Sequence, residues 1–192
     1  MGEKKRLGVG VISLGWMGRL HTRSYKAVAE YFPELGVEVE LVAAADPIDS
    51  VREEATGKLG FKRAYADYHE LLADPEVDIV SIASPNFLHK EIALAAIAAG
   101  KPFWIEKPMG VSAEQSREIA QAAEKAGLVS AVGFNYRHTP AIEYMRTLVR
   151  EGKLGRLTNV RVWFIADYNS SPLSPLTWRA SKEKAGAGVV PD

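Results

Sequence analysis

The sequence contains no cysteine. Disulfides and thiolate metal sites are thereby excluded, and a reducing compartment suits such a chain. It also lacks an excess of either charge: 24 lysines and arginines stand against 24 aspartates and glutamates. No net field draws it to nucleic acid or to an anionic membrane, and neither is expected as a partner. No apolar run approaches the roughly 20 residues that span a bilayer. The first apolar stretch, Leu7–Leu14, is short and follows the polar, basic Met1–Arg6, so it reads as a buried strand rather than a signal peptide. A soluble, cytoplasmic protein is the expectation. The four histidines show no metal-ligand spacing of the HExxH kind, and no metal is expected. Repeats and low-complexity tracts are absent as well.

What is present is enough apolar material for a proper core. Apolar residues make up 47% of 192 positions, which suits one full domain and part of another. Six strand-like segments alternate with helical ones: Leu7–Leu14, Glu38–Ala45, Lys62–Tyr65, Asp78–Ala83, Pro102–Ile105 and Leu128–Val132. Between them Trp16–Phe32, Ile48–Leu59, Tyr68–Ala73, Phe87–Ala99 and Ala113–Ala126 have helical character, punctuated by Pro33, Gly60, Gly100 and Gly127. Strands apolar on both faces, alternating with helices of this length, predict an α/β fold with a doubly wound parallel sheet of the Rossmann type. Beyond Asn135 the texture changes. Thr139–Arg150 reads as an amphipathic helix, and Leu157–Ala166 as a long alternating strand with Val160, Val162 and Phe164 on one face and Arg161 and Trp163 on the other. Lys182–Val190 is Gly/Ala-rich and irregular. Residues 1–135 are thus expected to form a dinucleotide-binding domain, and 136–192 the beginning of an incomplete α+β second domain.

The turn Ser13-Leu14-Gly15-Trp16-Met17-Gly18 joins the first strand to the first helix. A dinucleotide site needs a tight reversal, a glycine where backbone approaches pyrophosphate, and a glycine for helix–strand packing. Gly15 and Gly18 supply the last two; Ser13 takes the first place, which requires it to hold a negative φ. The pyrophosphate would rest on the helix N-terminus. Asp46 closes the second strand, where an acid meets the adenosine ribose hydroxyls. Its spacing exceeds the usual ~20 residues, and Tyr31–Val37 accounts for the excess as an insertion. An acid there repels a 2′-phosphate, so NAD is favoured over NADP; no arginine follows Asp46 directly, although Arg52 lies near.

Three further stretches fall at strand ends, where open α/β sheets bind ligands. They are Ser84-Pro85-Asn86-Phe87-Leu88-His89, Glu106-Lys107-Pro108 and Gly133-Phe134-Asn135-Tyr136-Arg137-His138. In order and rough spacing they resemble the Gfo/Idh/MocA family of glucose–fructose oxidoreductase, inositol dehydrogenase and rhizopine-catabolism proteins. The resemblance covers nearly the whole chain. It implies an NAD(P)-dependent oxidoreductase that moves a hydride between a hydroxyl carbon of a sugar or polyol and nicotinamide. It also implies a homo-oligomer, assembled through the second domain's sheet. Lys107 matches the family's catalytic-turn lysine, which contacts substrate and tunes proton transfer. Glu106 and Asn86 match positions lining the nicotinamide ribose, in a cofactor site shared with Ser84, Pro85 and His89. Arg137, Trp178 and Arg179 match positions at the cofactor or substrate mouth. His89 has an alternative reading as a helix N-terminal residue with no chemistry, while His21 and His138 read as structural or peripheral.

Asp192 matches the aspartate of the family's Asp-x-x-x-His motif, a second catalytic candidate. The motif's histidine, the family's general acid/base, would stand four residues beyond it, past the last residue of the sequence. The expectation is therefore a chain truncated in its second domain. The alternatives are a non-catalytic dinucleotide-binding module, or an interaction protein whose incomplete sheet pairs with another chain.

Overall fold

A computed structural model describes residues 5–165, 167, 171, 173 and 175–186. Six strands form one parallel sheet: β1 (Lys5–Ile12), β2 (Val37–Ala45), β3 (Arg63–Tyr65), β4 (Ile79–Ile82), β5 (Phe103–Ile105) and β6 (Ser130–Val132). Their order across the sheet is β3-β2-β1-β4-β5-β6. That is the doubly wound order, with its switch point between β1 and β4, and ligands bind beyond the carboxyl ends at such a point.

The helices between strands are α1 (Trp16–Tyr31), α2 (Asp49–Glu54), α3 (Tyr68–Ala73), α4 (Asn86–Ala98) and α5 (Ala113–Lys125). Alternation along the buried strands sends side chains to opposite faces. Val9, Val11, Leu41 and Ala44 pack with Tyr25 and Val51 from α1 and α2. Ile12, Val42, Val80 and Ile82 pack with Leu71, Ile92 and Ile119 from α3, α4 and α5. The expected insertion between α1 and β2 is a short 3-10 turn, Pro33–Leu35, closed by Gly36 in the left-handed region. After α2 the chain continues as a single π-helical turn, Ala55–Leu59, rather than as one regular helix to Gly60.

Past β6 come a 3-10 turn (Asn135–His138), α6 (Pro140–Arg150), a second 3-10 turn (Trp178–Ala180) and α7 (Lys182–Ala185). Two expectations need correction here. The stretch read as irregular opens with a helical turn, α7, capped by the Ser181 hydroxyl, which accepts from the Lys184 N–H. The predicted strand Leu157–Ala166 is not a strand: residues 157–165 carry no ladder and are exposed, Val162 at 83% and Ile165 at 89%. Alternation specifies which side chains share a face, but a strand forms only when a neighbour supplies N–H and C=O partners. Among the described residues none does.

Candidate functional site

The turn after β1 is held from three sides. The Ser13 N–H donates to the Ala45 carbonyl (2.7 Å), and the Leu14 N–H donates to Asp46 Oδ2 (2.9 Å). Arg19 bonds back to the Leu14 carbonyl and pairs with Glu54 at 2.6 Å, tying the turn to α2. These bonds fix the reversal, and Ser13 is driven to φ +70°. The expectation of a negative φ is thus overturned. The first motif position needs the left-handed region whichever residue fills it, and serine holds it at a cost of about 1–3 kcal/mol.

The two glycines behave differently. A Cβ on Gly18 would sit 2.0 Å from the Ser13 carbonyl oxygen, so helix and turn touch there. A Cβ on Gly15 would meet nothing within 4 Å. Gly15 is the N-cap of α1, and no side chain caps the helix or places an acid in its first turn. The result is open space in front of unpartnered helix N–H groups, an anion site in character. Beside it Trp16 is exposed and Met17 half-buried. Asp46 is buried, with Oδ1 accepting from the Ile48 N–H (3.1 Å) and Oδ2 from Leu14. Each oxygen keeps lone-pair capacity for a hydroxyl. Arg52 reaches back to the Asp46 carbonyl (2.8 Å) and to the Asp49 carboxylate.

Across the switch point, β4 runs out into Ser84 and Pro85. Pro85 is the N-cap of α4, where its fixed φ of −59° suits the chain's entry into the helix. Ser84 is buried, and its hydroxyl is the one buried side-chain polar atom without a hydrogen-bond partner among the described residues. Such an orphan costs about 1–3 kcal/mol unless something else satisfies it. His89 is fully buried, with Nε2 2.8 Å from the Ser84 carbonyl and Nδ1 2.8 Å from the Pro108 carbonyl. It clasps the ends of β4 and β5 together from beneath. Burial pushes its imidazole below the usual value, while the two carbonyls and Glu106 pull the other way. Asn86, also buried, donates from Nδ2 to the Ala185 carbonyl (3.2 Å).

Glu106 and Lys107 follow β5. Glu106 is buried against Gly133, where a Cβ would lie 2.7 Å from Oε1. The same Oε1 is 2.9 Å from His21 Nε2. Lys107 is half-buried at the head of a cis bond to Pro108. Trp178 meets Phe87 edge-on at 6.4 Å, and Arg179 stacks over Trp178 at 4.4 Å. The structure therefore brings Ser13–Gly18 and Asp46 together at one side of the switch point, and Ser84–His89 with Glu106 and Lys107 at the other. Trp178 and Arg179 join the mouth of α4. Arg137 stands exposed on its 3-10 turn, and Asp192 lies outside the described residues.

Sequence reasoning missed Ser81 and Tyr25, read His21 as structural or peripheral, and quoted Gly133 only as the start of a strand-end stretch. The available signal was a serine in the apolar strand DIVSIA, together with two ring side chains four residues apart on the first helix. Among the described residues no cluster of three His, Asp or Glu could hold a metal ion, and no helix is long and apolar enough to cross a membrane.

Comparison with known proteins fits this architecture. Residues 7–134 match the family model described as GFO_IDH_MocA, oxidoreductase family, NAD-binding Rossmann fold. Levoglucosan dehydrogenase of Pseudarthrobacter phenanthrenivorans is 37% identical over 98% of this chain and 48% of its own length. Myo-inositol 2-dehydrogenase of Thermotoga maritima is 29% identical over 80% of this chain and 44% of its own. Among solved structures, levoglucosan dehydrogenase in complex with NADH and levoglucosan superposes with a TM-score of 0.87 at 34% identity, over 96% of this chain and 50% of that one. An oxidoreductase domain protein from Kribbella flavida does so with 0.91 at 36% identity, over 98% and 49%. The chain spans about half the length of the curated relatives it matches. On the strength of its sheet, its turn and this match, the chain belongs to the Gfo/Idh/MocA oxidoreductase family.

Proposed function

We propose that this chain binds NAD across the carboxyl ends of β1 and β4 and serves an oxidoreductase of the sugar and polyol dehydrogenase type. The observation that carries the reading is the uncapped N-terminus of α1 behind the empty flank of Gly15, with Asp46 closing the adjoining loop. A pyrophosphate fits the first feature and a ribose diol the second. The orphaned Ser84 hydroxyl is a further group that a bound dinucleotide would satisfy. Glu106, Asn86 and the clasp by His89 then belong to the nicotinamide half.

A nicotinamide bound there supplies the hydride acceptor for a substrate hydroxyl carbon. The chain's own contribution is Lys107, whose charge orients the hydroxyl, favours its ionised form and assists loss of its proton. Trp178, Arg179 and Arg137 complete the mouth on this reading, and Asp192 is the second catalytic candidate. Residues 1–135 act as the cofactor domain and 136–192 as part of a domain for substrate and for assembly of copies of the chain. The printed substrates of the relatives, levoglucosan and myo-inositol, make an anhydrosugar or a cyclic polyol the substrate class to try. A cytoplasmic placement goes with this chemistry and with the lack of cysteine.

Parallel titrations with NADH and NADPH test the cofactor half, read by energy transfer from tryptophan to nicotinamide. NADH is expected to bind in the micromolar range and NADPH more weakly, with the preference shrinking in Asp46→Asn. Binding of neither dinucleotide overturns the reading. Adding levoglucosan or myo-inositol with NAD and following NADH formation then separates a dehydrogenase from a non-catalytic binding module, which would hold NADH without turnover.

A further inference from the structure

Buried and half-buried polar side chains form a continuous line that ends on Glu106. Tyr25 and His21 sit four residues apart on α1 and so share one face of it. Both reach Ser81, a fully buried serine on β4: Tyr25 Oη is 2.9 Å from Ser81 Oγ, and His21 Nδ1 is 3.1 Å from it. His21 Nε2 then meets Glu106 Oε1 at 2.9 Å. Trp104 of β5 packs its ring edge-to-face against His21, with centroids 6.1 Å apart.

For a neutral imidazole at His21 and an ionised Glu106, the donors in this line follow by elimination. A carboxylate oxygen has no hydrogen to give, so His21 Nε2 carries one and donates to Glu106. A neutral imidazole protonated at Nε2 is bare at Nδ1, so the Ser81 hydroxyl donates there. With its hydrogen spent, Ser81 Oγ accepts from the Tyr25 hydroxyl. Burial pushes the Tyr25 phenol up, which keeps that donor protonated. Every hydrogen is used once, and all point toward Glu106. On the other side, the bare Cα of Gly133 lets the Glu106 carboxylate approach where a Cβ would strike it at 2.7 Å. The carboxylate is thus held between a donor from α1 and a gap at the end of β6.

We propose that His21 is a positioning residue for the nicotinamide half of the site, setting the orientation of the Glu106 carboxylate through a one-way line of hydrogen bonds from Tyr25 and Ser81. This rests on the NAD reading above. It assigns work to a residue whose sequence position, inside the first helix and 85 residues from its partner, marks it as peripheral. Hydrogen bonds to charged groups are strong enough for the loss of this one to be felt at a ligand.

The test compares two ligands on the whole chain by calorimetry. ADP probes the α1 turn and Asp46; NADH adds the nicotinamide half. His21→Phe keeps the ring and removes both nitrogens. It is expected to weaken NADH about tenfold, the effect of one charge-assisted hydrogen bond, and to leave ADP within about twofold. His21→Gln, which restores a donor at similar reach, should recover most of the NADH affinity. Unchanged NADH binding overturns the proposal, as does an equal loss for ADP, which would mean general damage to the fold. Should His21→Phe not fold, the 15N spectrum of His21 in the unmutated protein decides. Hydrogen on Nε2 and none on Nδ1 is expected, and the opposite tautomer sinks the line. An unmutated chain that binds neither ADP nor NADH overturns the NAD reading and with it the role of His21, while the tautomer still tests the hydrogen-bond line.

Discussion

The two ends of the sheet treat their polar groups in opposite ways. At the amino end, charged groups satisfy one another. Arg6 pairs with Glu40 at 2.6 Å, Glu40 with Lys62 at 2.6 Å, Lys62 with Glu76 at 3.2 Å and Arg63 with Glu76 at 2.9 Å. Asp74 takes Arg63 at 2.8 Å and the Tyr65 hydroxyl at 3.1 Å, and Lys101 donates to the Asp74 and Val77 carbonyls. At the carboxyl end the account stays open, with an orphaned serine hydroxyl, a helix without a cap and a serine in the left-handed region. The difference leaves the carboxyl end with polar groups that the described residues do not satisfy. Exposed ion pairs contribute little each, so the amino end leaves few polar groups unsatisfied without adding much stability.

The sharpest way to break this comparison is to apply one steric insult at both ends. A Cβ on Gly8 would meet the Glu76 carbonyl oxygen at 2.0 Å, the same distance as for Gly18 and the Ser13 oxygen. Gly8→Ala and Gly18→Ala should each cost about 1–3 kcal/mol in urea unfolding, as overpacking does. NADH affinity in the folded fraction should collapse for Gly18→Ala alone. Equal loss of binding in both variants would mean that the two ends are not functionally distinct.

A smaller effect belongs to Asp74. Burial alone would push its carboxyl up, yet the Glu76 N–H, Arg63 and Tyr65 hold it below its ordinary value of 3.8. A carboxyl depressed in the folded state stabilises above its unfolded pKa, and that stability drains away as pH falls through the folded value. Melting temperature should therefore decline below pH ~4, and Asp74→Asn should flatten part of that decline with NADH binding at neutral pH unmoved. Parallel acid curves for the two proteins would remove Asp74 from the explanation. Glu40 and Glu76, lowered by their Lys and Arg partners, contribute to the slope that remains, as do Glu54, Asp67 and Glu114, which are lowered as well.

The smallest effect is a gain. Ser13→Gly relieves a left-handed serine and should raise stability by up to about 1 kcal/mol, net of the entropy glycine adds to the unfolded chain. A lower urea midpoint in this variant would show that the serine is not strained.

The layers of the sheet were legible because buried parallel strands and their glycine stops leave a mark on every residue. The strand-end residues were legible because polar chemistry sits there against an apolar background. Three features were not legible, for separate reasons. The φ of Ser13 is set by the bonds from Ala45 and Asp46, some thirty residues away, and not by serine's own preference. His21 acquires its meaning only from Ser81 and Glu106, which the sheet brings to it. Residues 157–165 alternate as a strand should, but alternation says nothing about whether a partner exists.

Those unpaired residues bear on how the protein behaves as a colloid. Val160, Val162, Trp163, Phe164 and Ile165 present an adhesive apolar strip on a molecule whose formal net charge at pH 7 is zero. Neighbouring molecules then have little electrostatic repulsion to keep them apart near neutrality, where the strip is free to attract. Titrating the surface to either side of that point adds like charge to every copy, so solubility should rise as pH moves away from neutrality.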